Sequence, residues 1–213
     1  MNLETIIMPY CHYNLTSFLT SAPNINYLPN DLGIEIAFIG RSNSGKSSAL
    51  NALTNQKKLA RTSKTPGCTQ LINLFQITED YRLVDLPGYG YTSISKNLRV
   101  TWEYTLKQYL RNRHCLQGLL ILMDIRHPLK NLDKQMILWA EKSNLKILVL
   151  LTKADKLTDK ASYKQLITVR QEMKQFQQII EVEIFSAKKN IGINLLRHKL
   201  DRWFYISSQL KTD

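Results

Sequence analysis

The densest chemistry in the chain lies in Gly40-Arg41-Ser42-Asn43-Ser44-Gly45-Lys46-Ser47, which meets G-x-x-x-x-G-K-S/T at every fixed position. Residues of these types at this spacing suit the cradling of phosphate. Glycines let the backbone curl until several N–H groups aim at one anion, and a helix opening there adds its positive end. Lys46 would bridge the outer phosphates, and the Ser47 hydroxyl would hold Mg2+. The flanks agree, with an apolar strand-like run over 34–39 before the loop and a helix-like run from Ser48 after it.

Three further segments follow in order. Asp85-Leu86-Pro87-Gly88 closes a short strand, where a carboxylate can reach Mg2+ through water and the Gly88 N–H can face a γ-phosphate. Thr152-Lys153-Ala154-Asp155 ends an apolar strand, at the carboxyl edge where open α/β sheets bind ligands. Asp155 could accept hydrogen bonds from N1–H and the exocyclic N2–H2 of guanine; adenine has no such donor pair and would leave the carboxylate unpaired. The Lys153 stem would cover the base. Phe185-Ser186-Ala187-Lys188 ends the last strand, where the Ala187 N–H can meet the guanine carbonyl and Ser186 can brace Asp155. Together these segments predict a guanine-nucleotide switch. A phosphate-loop kinase is the losing alternative, because it would leave the Asp155 motif without a purpose.

The elements that must position these groups alternate between strand and helix. Strands are expected near 34–39, 71–77, 81–85, 118–124, 146–151 and 179–184, and helices near 46–54, 95–112, 132–143, 160–175 and 191–206. This pattern predicts an α/β fold of the P-loop NTPase type, a mostly parallel six-stranded sheet with helices on both faces. The runs over 119–123 and 147–151 are apolar throughout, as central strands covered on both sides require. Ile193, Leu196, Leu200 and Trp203 form a core-facing helical stripe. At 213 residues the chain suits one domain. It is expected as an N-terminal extension over 1–33, a nucleotide-binding domain over 34–206 and a tail over 207–213. Residues 56–70 read as a long mobile loop.

Composition narrows the setting. No apolar run approaches the roughly 20 residues of a membrane helix, so no membrane insertion is expected. Cys11, Cys68 and Cys115 have no metal-ligand spacing and suggest free thiols in a reducing cytoplasm. Twenty-nine basic against seventeen acidic residues give a net charge of +12, which points to a polyanionic partner. The basic residues concentrate at Lys96, Arg99, Lys107, Arg111 and Arg113, and at Lys188, Lys189, Arg197, Lys199 and Arg202.

Several of these motifs carry a family resemblance. The run over 40–51, the loop over 62–73 containing Thr65-Pro66-Gly67-Cys68-Thr69-Gln70-Leu71, and Asp85-Leu86-Pro87-Gly88-Tyr89-Gly90-Tyr91 resemble the EngB (YihA/YsxC) family. That family lies within the TrmE-Era-EngA-EngB-septin-like GTPase class. Met123-Asp124-Ile125-Arg126-His127-Pro128-Leu129 and Leu151–Lys156 are similar to it as well. The resemblance implies a Ras-like G domain that binds GTP and GDP and hydrolyses GTP. It further implies a cytoplasmic role in assembly of the large ribosomal subunit, with ribosomal RNA or assembly intermediates as partner, and a need for the protein in cell division and septation. It makes Ser47 and Thr69 the Mg2+ ligands, with Asp85 reaching the ion through water. Gly67, Cys68, Thr69, Gln70 and Leu71 become the switch that closes on the γ-phosphate. Thr152 stands where Asn is usual in GTPases generally, as is common in this family.

The catalytic set is then Lys46, Thr69, Gly88 and Asn43. Tyr89 occupies the place of a water-orienting Gln, so intrinsic hydrolysis is expected toward or below roughly 10⁻⁴ s⁻¹. In related GTPases an Asn at the position of Asn43 helps hold a monovalent cation, which suggests K+ beside the phosphates. A monomer is expected. The competing readings are an RNA-binding protein with GTP as a structural ligand, and a septum-associated scaffold.

Overall fold

A computed structural model describes residues 10–60, 71–90 and 96–209, with backbone alone for 96–99. The strands are β1 (Ser17–Ala22), β2 (Ile34–Gly40), β3 (Ile72–Gln76), β4 (Tyr81–Asp85), β5 (Leu116–Asp124), β6 (Lys146–Thr152) and β7 (Glu181–Ile184). The helices are α1 (Lys46–Thr54), α2 (Lys96–Asn112), α3 (Asn131–Lys142), α4 (Asp159–Met173) and α5 (Ile193–Gln209). One sheet contains all seven strands in the order β1-β3-β4-β2-β5-β6-β7. From β4 to β7 the pairing is parallel, whereas β3 runs antiparallel to β4 and β1 antiparallel to β3.

The expected six strands become seven. The added strand, β1, lies in the segment read as an extension. It sits at the sheet edge with most side chains exposed, so it never develops the buried alternation that marks a strand in sequence. The parallel strands behave as their composition requires. Every residue of β2 is buried. Ala37 and Ile39 face a core shared with α2, α3 and α4, while Ile36 and Phe38 face one shared with α1 and α5. The α5 stripe holds, with Leu196, Leu200 and Trp203 buried and Ile193 packed at the margin. No helix among the described residues is long and apolar enough to cross a membrane. Cys11 and Cys115 are free thiols, and Cys68 lies outside the described residues.

A buried ion network interrupts this interior. Glu35 on β2 is fully buried and accepts hydrogen bonds from Tyr109 Oη (2.8 Å), Arg113 Nη2 (2.7 Å) and Arg82 Nε (3.1 Å). The arginines extend the network to the chain before β2. Arg113 Nη1 donates to the Pro29 carbonyl at 2.8 Å, and Arg82 donates to the Leu32 carbonyl. Asp31 accepts from the amides of His114 and Cys115 at 2.9 and 2.8 Å. The network therefore ties the end of α2 and the start of β5 to the approach into β2. Arg113, counted above with the basic surface, is 8% exposed and belongs to this interior.

Removing one partner of a buried ion network leaves the others charged and desolvated. Glu35→Ala is expected to lower the unfolding free energy by about 3–5 kcal/mol, read as a lower midpoint in denaturant. An unchanged midpoint would show that the network does not stabilise the fold.

Candidate functional site

The carboxyl ends of the parallel strands carry the chemistry. β2 ends at Gly40, where a Cβ would stand 2.4 Å from Ser44 Oγ and 2.6 Å from the Leu122 carbonyl. Only glycine fits that approach. The loop then turns through Asn43, exposed and at φ +62°, to Gly45 at φ +93°, the residue that caps α1. Gly45 answers to backbone conformation rather than crowding, since the nearest atoms to its would-be Cβ lie 3.7 Å away. Beyond it, the first amides of α1 have no carbonyl within the helix to bond and project their partial charge into the loop. Lys46 and Ser47 stand in that first turn.

The segment after β4 is bonded to the loop as a second layer. The Ser42 amide donates to the Tyr89 carbonyl at 2.8 Å, and the Tyr89 amide to the Gly40 carbonyl at 3.2 Å. Arg41 and Tyr89 thus form a parallel bridge. Asp85, 6% exposed, forms an ion pair with Lys46 Nζ across the loop. Leu86 is a core residue whose amide donates to the Phe38 carbonyl at 3.0 Å, and the Pro87 carbonyl accepts from Trp102 Nε1 at 3.3 Å. Gly88 is half-buried at the start of the bonded stretch.

Tyr89 itself is 1% exposed, and its hydroxyl donates to Asp133 Oδ1 at 2.7 Å. Asp133 Oδ2 accepts from the Lys130 amide at 2.8 Å, so the same carboxylate caps α3. Burial pushes the Tyr89 phenol well up and the Asp133 carboxyl up. Sequence reasoning missed Asp133, because an acidic residue in a helical first turn reads as an ordinary dipole partner.

At the other end, the backbone turns sharply after β6, with Lys153 at φ +59°. Thr152 Oγ1 lies 2.5 Å from the Ser44 carbonyl and 3.0 Å from that of Met123. The threonine therefore ties the phosphate loop directly to the Asp155 turn. Ser186 Oγ donates to Asp155 Oδ1 at 2.6 Å and itself accepts from the Lys189 amide at 3.2 Å. That Ser186 hydrogen bond holds the Asp155 carboxyl below its ordinary value. Phe185 is a core residue whose carbonyl accepts from the Ala154 amide at 3.2 Å; its side chain packs with α1 and α5. Ala187 is half-buried and Lys188 exposed on the turn after Ser186. Gly67, Cys68, Thr69 and Gln70 lie outside the described residues, whereas Leu71, beside β3, is partly exposed.

The geometry can be set beside known proteins. Residues 35–153 match the family model described as 50S ribosome-binding GTPase. A protein named "Probable GTP-binding protein EngB" from Haemophilus influenzae strain PittEE is 61% identical over 193 residues, covering 91% of this chain and 94% of that protein. The protein of the same name from Klebsiella pneumoniae strain 342 is 60% identical, covering 91% and 92%. Among solved structures, a probable GTP-binding protein engB superposes with a TM-score of 0.65 at 18% identity, over 80% of this chain and 98% of that one. Era in complex with MgGDPNP and a fragment of 16S ribosomal RNA superposes with a TM-score of 0.63 at 20% identity, over 81% and 57%. The structural likenesses establish the P-loop GTPase fold. Sequence identity at this level along nine-tenths of the chain establishes more: it belongs to the EngB family of GTP-binding proteins, within the GTPases.

Proposed function

We propose that the protein is a slow, GTP-hydrolysing switch in assembly of the large ribosomal subunit, acting in the cytoplasm and needed for normal division and septation. One observation carries the switch. The phosphate loop and the Asp85–Gly90 segment are bonded to each other, and Lys46 is paired with Asp85 across them. The outer phosphates of a bound nucleotide would compete with Asp85 for the Lys46 ammonium, and that exchange would free the carboxylate to reach Mg2+ through water.

Asp155, held by Ser186, accepts the two donors of guanine, and the Ala187 amide meets the carbonyl. The loop amides and Lys46 hold the phosphates, with Asn43 at the loop's exposed tip. Ser47 and Asp85 fit Mg2+, the hydroxyl as a direct ligand and the buried carboxylate through water, since hard oxygen donors are the type this ion takes. Phosphate, water and Thr69 would complete the shell. Mg2+ when bound would neutralise charge developing on the phosphates. Gly88 offers its amide to the γ-phosphate. Hydrolysis then transfers the γ-phosphoryl group to water, leaving GDP and inorganic phosphate.

Tyr89 supports the slow rate. Its hydroxyl is committed to Asp133 inside the fold, so it does not orient an attacking water. A monovalent cation held at Asn43 would add positive charge beside the phosphates and so offset part of what Tyr89 does not supply. Turnover is accordingly expected to be several-fold faster in KCl than in NaCl of equal ionic strength, followed by phosphate release. Equal rates in the two salts would remove the cation from the mechanism.

For the partner, the net charge of +12 remains the supporting observation, with its distribution revised. Lys107, Arg111, Lys188, Lys189 and Arg202 are exposed. Arg197 instead donates to the Leu53 carbonyl at 2.8 and 3.0 Å, and Lys199 pairs with Glu181 and Glu183. Exposed cations suit RNA recognised through phosphate and shape. Sedimentation of lysate with GTP, GDP or a non-hydrolysable analogue tests the proposal. The protein is expected to follow the large subunit with the triphosphate forms and to leave it as salt rises. Sedimentation indifferent to nucleotide and salt would contradict it.

A further inference from the structure

The stretch Met123–Leu129 took part in the family resemblance without receiving a role. Asp124 is the last residue of β5 and stands in register beside Thr152 at the end of β6. Its carboxylate accepts three hydrogen bonds from Arg126: Nε at 2.9 Å, Nη2 at 2.6 Å and the backbone amide at 3.1 Å. It also takes the Lys153 ammonium, whose Nζ lies 3.0 Å from Asp124 Oδ2. Asp124 keeps 19% of its side-chain surface, Lys153 32% and Arg126 41%, so the cluster forms the rim of the turn that carries Asp155.

We propose that Asp124 and Arg126 are positioning residues for the guanine base, acting through Lys153. The inference rests on the guanine-nucleotide reading of that turn. A lysine stem covers a purine face only if the stem stays in place, and a free lysine explores many rotamers. Here the left-handed backbone at Lys153 fixes where the stem begins. Asp124 fixes where it ends, and the guanidinium fork of Arg126 fixes Asp124.

The arrangement also separates two carboxylates that both feel the charge of Arg126. Asp124 takes the Lys153 charge, and Ser186 holds Asp155. Asp155 thereby stays open to the N–H donors of the base. An unpinned Lys153 could fold onto Asp155 and compete with guanine for it.

A double-mutant cycle on GDP affinity tests the chain of contacts. Asp124→Ala and Lys153→Ala are each expected to weaken GDP roughly tenfold, the scale of the freedom that an unpinned lysine regains. The double variant should bind no more weakly than Lys153→Ala alone. Arg126→Ala, at the surface and safe for folding, should weaken GDP by a smaller factor. Inosine diphosphate should lose affinity by the same factor as GDP, because the stem touches the ring face and not the 2-amino group. Losses that multiply in the double variant, a changed GDP-to-IDP ratio, or unaltered affinities would overturn the proposal while leaving the guanine reading intact. Failure of the parent protein to bind GDP would overturn that reading and this inference together.

Discussion

The site depends on the hydrogen bonds that join the phosphate loop to the segment after β4. The Ser42 amide donates to the Tyr89 carbonyl and the Tyr89 amide to the Gly40 carbonyl, so the loop over 40–47 is fastened to the segment that follows Asp85. Gly40 makes this possible, since any side chain there would collide with Ser44 and the Leu122 carbonyl. Thr152 adds a third tie by reaching the Ser44 carbonyl from β6. The loop over 40–47 and the turn that carries Asp155 are thus joined directly. Buried hydrogen bonds of this kind matter most when one partner is lost, because the orphaned group keeps its desolvation cost.

Around this unit the protein spends its aromatic and charged groups on position. Tyr89 is locked between the loop and α3 through Asp133, and Trp102 holds the Pro87 carbonyl from α2. The segment after β4 therefore touches two helices at once. At the opposite end of the sheet, Glu35 and its arginines fix the end of α2 against β2 and β4.

Much of this was legible in the sequence, for identifiable reasons. The phosphate loop demands particular residues at fixed spacing, and the central strands are apolar on both faces, so both announce themselves. The observed α1 has the expected bounds, and β5 and β6 differ from expectation only at their ends. The Ser186–Asp155 brace follows from the order of two short motifs and appears at 2.6 Å. What stayed hidden needed partners distant in sequence. β1 is mostly exposed and pairs along one edge only. Arg113 looks like a surface cation until Glu35 is placed beside it. Asp133 reads as a helix cap until the Tyr89 hydroxyl arrives. Thr152, shorter than Asn, still reaches the phosphate loop because the turn at Gly45 brings the Ser44 carbonyl to it.

Guanine selectivity at Asp155 is the claim on which the functional account turns. The most direct measurement is equilibrium binding of GDP, ADP and xanthosine diphosphate to the parent protein and to Asp155→Asn. Xanthine carries a carbonyl where guanine has its 2-amino group, so an amide in place of the carboxylate offers it a donor. The account predicts strong preference for GDP in the parent and a shift of preference to the xanthine nucleotide in the variant. A parent that binds ADP as tightly as GDP, or a variant that keeps its preference for guanine, would contradict it.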